Sequence, residues 1–111
     1  MGGSGERDVT TCAVTFTIPA DLWLSANVVM HWAPKADRIK ALRLLGRSVA
    51  ISQRVPHFEV AHVAAFIGFT RNGTADPSNA FPTIKALIDG MTDAGVWPDD
   101  DSTHVIGPIY L

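Results

Sequence analysis

Six aspartates, Asp76, Asp89, Asp93, Asp99, Asp100 and Asp101, share the last third of the chain with one lysine placed among them, Lys85. Carboxylates brought in from two separate loops can hold one hard cation, because Mg²⁺ takes oxygen ligands and usually accepts one or two from protein carboxylates. Such an ion polarises a phosphodiester and activates a water. A lysine at the same place offsets the charge that grows on the phosphate in the transition state. Asp76 follows one candidate strand and the triplet Asp99 to Asp101 precedes another, so the two groups converge if those strands are neighbours. Read by residue type alone, a triple Asp is more simply a solvated turn. It is not an EF-hand loop, which needs a Gly at the sixth position and a distal Glu.

Other chemistries find no support. His57 and His62 are five apart and fall on opposite sides of an extended segment. Cys12 is the only cysteine, so it has no thiol partner for zinc or a disulfide. It reads as packing rather than as a nucleophile, and Trp23, Trp32 and Trp97 read as core or interface residues rather than base-stacking platforms. No nucleophile-elbow, Walker A or dinucleotide-binding glycine pattern occurs.

The elements that must position the acidic residues follow from periodicity. Val14, Phe16 and Ile18 alternate with Thr15 and Thr17, which predicts a half-buried strand over 13–18 ended by Pro19. A loop with Trp23, Asn27, His31, Trp32 and Pro34 follows. From Lys35 to about Gln53, Ile39, Leu42, Leu45 and Val49 recur at helical steps, with Lys40, Arg43 and Arg47 as a basic stripe on another face. Phe58 to Phe69 is a nearly unbroken apolar run, read as a central strand. TRNGTADPSN is a loop. A second helix is expected from Ala80 or Phe81, capped by Ser78 or Asn79, with Pro82 in its first turn and Gly95 as its stop. Phe81, Ile84, Ile88 and Met91 are its expected buried stripe, and Lys85 and Asp89 share an exposed flank. A last strand covers about 104–111. The fold class is therefore α+β: a small mixed sheet packed with two helices.

Charge is polarised. Residues 35–54 carry a net of +5 and residues 76–101 a net of −5, although the whole chain carries only −2. Opposite blocks suit an anion at one place and a cation at another; the plainer reading is two solvated faces. The 111 residues imply one domain, 13–111, preceded by a flexible tail, 1–12. With 47% hydrophobic and 18% charged residues, wholesale disorder is excluded. No apolar run spans a bilayer, MGGSGERD lacks the pattern of a secretion signal, and the lone cysteine suits a reducing compartment, so a cytoplasmic protein is expected.

The segment DPSNAFPTIKALIDGMTDAGVWPDDDSTHV resembles the signature of the RusA-like Holliday junction resolvases, particularly those of actinobacteria and their phages. The pattern is D-x-D-N, a Lys a short way into a helix, A-x-x-D, then A-G-x-W-x-D-D and a strand. Asp76, Asn79, Lys85, Asp89, Ala94, Gly95, Trp97, Asp99 and Asp100 fit it. LSANVVMHW with Asn27, followed by a basic helix and a long strand, matches the family order, so the resemblance covers most of 13–111.

What the resemblance implies is a small homodimeric endonuclease that binds four-way DNA junctions and nicks opposing strands with Mg²⁺ or Mn²⁺. It implies Asp76 and Asp100 as metal carboxylates, with Asp99 and Asp101 beside them, and Lys85 as the catalytic lysine. DNA contacts fall to Lys40, Arg43, Arg47 and Asn79. Ser78 stands where the pattern has its second Asp, the helix lysine is displaced by three residues with Pro82 in the insert, and the pattern runs on through a further strand. A junction-binding relative without cleavage, or a small protein-interaction module, are the alternative expectations.

Overall fold

The computed structural model describes residues 10–25, 32–68 and 77–111. The elements are a 3₁₀ turn Ala20–Leu22, helix α1 (Trp32–Ser52), strand β1 (Ala61–Ala65), a 3₁₀ turn Pro77–Ala80, helix α2 (Phe81–Asp93) and strand β2 (Val105–Tyr110). This is a small α+β arrangement with two helices, as the periodicity predicts; the sheet has two strands among the described residues where three were expected. The sheet is parallel, not mixed, among the described residues.

Helix α1 begins earlier than expected, and Pro34 sits inside its first turn, where a missing N–H costs no internal bond. Its seam against α2 differs from the predicted stripe. Leu42 is fully buried and Gly46 and Ala50 follow it inward, whereas Ile39 is exposed and Leu45 and Val49 are only half-buried. Small residues decide this. A Cβ at Gly46 would overlap the Leu87 carbonyl, and one at Gly90 would overlap the Arg43 carbonyl. Glycine at both positions lets the two helix backbones touch.

Helix α2 starts where expected, but its N-cap is Ala80, which provides no side-chain cap; the preceding 3₁₀ turn leads into the helix instead. Its inward residues are Thr83, Ala86, Leu87, Ile88 and Gly90. Ile84 and Met91 of the predicted stripe are half-buried, and Phe81 is 53% exposed. Gly95 stops the helix as expected, with φ +83°, a left-handed conformation that suits glycine.

Residues 13–18 pair with no strand among the described residues. Their alternation is nevertheless correct: Val14, Phe16 and Ile18 are half-buried, Thr15 and Thr17 exposed. Phe16 and Ile18 pack with Leu24, Leu42, Ala86 and Leu87. The Thr83 hydroxyl fixes this corner, donating to the Leu24 carbonyl and accepting from its N–H, both at 2.8 Å.

Strand β1 is shorter than the apolar run Phe58–Phe69 suggested: Phe58 to Val60 before it and Phe66 to Gly68 after it are not strand. Its inward residues Ala61 and Val63 join Val96, Trp97, Val105, Ala50 and Ile88 in a second core. Strand β2 pairs with β1 from Ala61↔Val105 to Ala65↔Tyr110. An irregularity between His62 and Ala64 places Gly107 and Pro108 opposite Val63, and Gly107 lies so close to the Val63 carbonyl that a Cβ would meet it at 2.7 Å. Proline in a strand is tolerated at such a bulge. No helix among the described residues is long and apolar enough to cross a membrane.

Candidate functional site

The loop between α2 and β2 returns the chain to the exposed flank of α2, and there three of the charged residues meet. Lys85 donates to Asp89 Oδ1 at 2.7 Å and to Asp100 Oδ2 at 2.5 Å. The first contact is fixed by the helix, since residues four apart share a face. The second joins residues fifteen apart and depends on the turn after Gly95. The turn is held by the core: Val96 and Trp97 are buried, and the Trp97 indole N–H donates to the Thr92 hydroxyl at 2.7 Å. Trp97 is therefore a core residue, as its type suggested.

The two carboxyl groups are unequal. Lys85 holds Asp100 down to about 2, with further help from a hydrogen bond with Asp89. Asp89 is pushed above the ordinary carboxylate range, first by burial, and the neighbouring Asp100 adds to this while Lys85 opposes it. The Lys85 ammonium is raised by its bonds to Asp100 and Asp89. Of the pair, Asp100 is the firm anion and Asp89 is the carboxyl that takes up a proton first. Environments that push two carboxyls apart in this way are how proteins assign acid and base roles.

Asp99 and Asp101 serve the loop. Asp99 Oδ1 accepts the N–H of Asp100 at 2.7 Å. Asp101 Oδ1 accepts the N–H groups of Thr103 and His104 and lies 2.7 Å from the His104 ring, a set of bonds that lowers the Asp101 carboxyl. Both shape the turn that presents Asp100. Asp76 lies outside the described residues, as does the side chain of Ser78. Asn79 is half-buried in the 3₁₀ turn before α2.

On α1, Lys40, Arg43 and Arg47 are all exposed, as the predicted basic stripe requires. Arg43 is engaged by Asp93 through Nε at 2.5 Å and Nη2 at 2.8 Å, a two-pronged pairing that raises the guanidinium and lowers the carboxylate. Asp89 and Asp100 also act on Arg43 through their charge, so the basic stripe borders the acidic pair.

The donor set can be weighed against the cation that the sequence implied. No group of three or more His, Cys, Asp or Glu residues suited to a metal occurs among the described residues. Asp89 and Asp100 nevertheless offer two hard carboxylates at a point that already draws an ammonium, and Mg²⁺ usually asks a protein for one or two. The pair fits such an ion in chemistry and in number. Asp89 was not among the ligands read from the sequence; its spacing of four from Lys85 was the available signal.

Comparison with protein-family models, curated proteins and solved structures finds no match to this chain.

Proposed function

We propose that the chain is a metal-dependent, structure-selective endonuclease that cleaves the phosphodiester backbone of branched DNA, four-way junctions in particular, as a homodimer. One observation carries the reading: Lys85 is held between Asp89 and Asp100 on an open flank beside the basic stripe of α1. The A-G-x-W-x-D-D resemblance supplies the substrate class, and a two-fold dimer suits a two-fold junction.

In this reading Asp89 and Asp100 hold the divalent ion, with Asp76 as a further candidate ligand. When bound, the ion supplies Lewis-acid polarisation of the phosphate. Lys85 has three N–H donors and spends two on the carboxylates, leaving one for a phosphoryl oxygen. Its ammonium then offsets the charge that builds there. Lys40 and Arg47 attract the DNA arms through their phosphates, while Arg43 exchanges between Asp93 and DNA.

The test is nicking of a synthetic four-way junction in Mg²⁺ or Mn²⁺. The wild type is expected to nick it, Asp100→Asn to abolish nicking, and Lys85→Ala to lower the rate by about a hundredfold. Junction binding without nicking at any metal concentration identifies a non-cleaving binder. Absence of binding at low salt, where phosphate-driven affinity is greatest, leaves a protein-interaction module.

A further inference from the structure

We propose that a groove between the first turns of α1 and α2 binds a single-stranded stretch of DNA and leads its backbone to the Lys85–Asp100 pair. The proposal rests on the nuclease reading and adds that the cut lies beside nucleotides left unpaired where the branch opens. The groove consists of two adjoining cavities of about 140 and about 260 Å³, with Lys35 and Pro82 in the wall of both. Trp23 and Arg38 line the outer one; Phe81, Lys85 and Asp89 line the inner one.

Three cations, Arg38, Lys35 and Lys85, thus line one groove, whose wall reaches Asp89 and, through Lys85, borders Asp100. Arg38 is pinned by one bond from Nη1 to the Trp23 carbonyl at 3.1 Å, and its guanidinium has further N–H donors. Lys35 in the first turn of α1 and Phe81 and Pro82 in the first turn of α2 stand in the groove's wall. Beside the cations stand two aromatic rings. Phe81 opens α2 and is 53% exposed, although its place in the sequence marks it as a core residue. A large apolar ring kept in water beside a row of cations has the makings of a stacking platform. Aromatic rings that receive bases beside a cationic track are the general means of holding a single strand.

The binding experiment uses fluorescence anisotropy of a labelled oligothymidylate of about 12 nucleotides, with a duplex of equal length as comparison, at low salt in EDTA. The wild type is expected to prefer the single strand. Phe81→Ala is expected to weaken it about tenfold, and Lys35→Gln to reduce the salt slope by about 0.7. Circular dichroism checks that each variant folds, and Lys35→Gln keeps the proposal testable should Phe81→Ala not. Equal affinity of wild type and both variants, or a preference for duplex, overturns the groove. Junction nicking by a wild type that binds no single strand also sinks the groove while sparing the nuclease reading. Single-strand binding that depends on Phe81, with no nicking of any branched substrate, does the opposite.

Discussion

The seam between α1 and α2 and the sheet of β1 and β2 meet water in opposite ways. At the seam the backbones touch through Gly46 and Gly90, and Leu42 and Thr83 are wholly buried. Among the described residues only one face of the sheet is covered. The other carries His62, Ala64, Ile106 and Ile109, with Ile109 61% exposed, and Phe66 just beyond β1 is 79% exposed. Parallel sheets are ordinarily covered on both faces, and two strands alone are marginal in water. The helix pair therefore holds the fold, and the sheet depends on the side chains that tie it to the helices.

The sharpest way to break that contrast is Gly90→Ala. The added methyl would strike the Arg43 carbonyl and crowd the Arg47 N–H, both backbone groups that cannot rotate aside. Alanine normally favours a helix over glycine by about 1 kcal/mol, so propensity alone predicts a gain. Overpacking against backbone wins: the expected loss is about 3 kcal/mol in urea unfolding. A stabilised variant would show that the helices do not pack through this glycine. Gly95→Ala fails for a different reason. Nothing crowds that position, but its φ of +83° is costly for alanine, so a loss of about 1 kcal/mol is expected.

These differences also explain what the sequence made legible. The end of α1, the limits of α2 and the last strand followed from period, proline and glycine, which act locally, whereas the start of α1 did not. The inward faces followed only in part. Leu42 and Ile88 are buried as their stripes predict, but Ile39 and Phe81 are exposed, and the close approach at Gly46 and Gly90 goes with Thr83 and Ala86 facing inward. Contact between two backbones leaves no hydrophobic signal. The alternation at 13–18 correctly gave the burial of Phe16 and Ile18 but not a strand, because alternate burial needs an extended chain over a core and no ladder. In the site, the pairing of Lys85 with Asp89 was visible as a spacing of four, whereas its pairing with Asp100 depends on how Val96 and Trp97 anchor the turn. The roles of Asp99 and Asp101 in shaping that turn were hidden by their likeness to Asp100. Asp76, the other half of the expected carboxylate pair, lies outside the described residues.

Lys85 and Asp100 tie the two regions together, and pH tests the tie. The Asp100 carboxyl is lowered to about 2 in the folded chain against about 3.9 when unfolded. A lowered carboxyl stabilises the fold above its unfolded value, and that contribution is lost as pH falls through the folded value. Asp100→Asn is therefore expected to be less stable than wild type at pH 7, with the gap closing between about pH 4 and pH 2. The Lys85 side chain is half exposed, so screening keeps the difference to about 1 kcal/mol or less. Asp89 runs in the other direction. Its raised carboxyl costs stability when ionised, and protonation removes that cost as pH falls through its folded value. Asp89→Asn should accordingly lose less than Asp100→Asn at pH 7. Thermal unfolding across this pH range measures both, and a gap for Asp100→Asn that persists at pH 2 would mean that the ion pair is not its source.

The smallest effect belongs on the open face of the sheet. Ile109 lies one strand away from Ala64 on the exposed side of β2, while Val105 on the same strand is buried against Ala50, Ile88 and Trp97. Removing apolar surface that already meets water changes the folded and unfolded states nearly alike. Ile109→Ser is thus expected to stay within about 0.5 kcal/mol of wild type in urea unfolding. Val105→Ala, which empties a packed position, should lose about 2 kcal/mol. A loss at Ile109 as large as that at Val105, growing as the protein is concentrated, would show that this face is covered by a second molecule in solution. The contrast between a closed seam and an open sheet would then hold for the single chain and fail for the assembly.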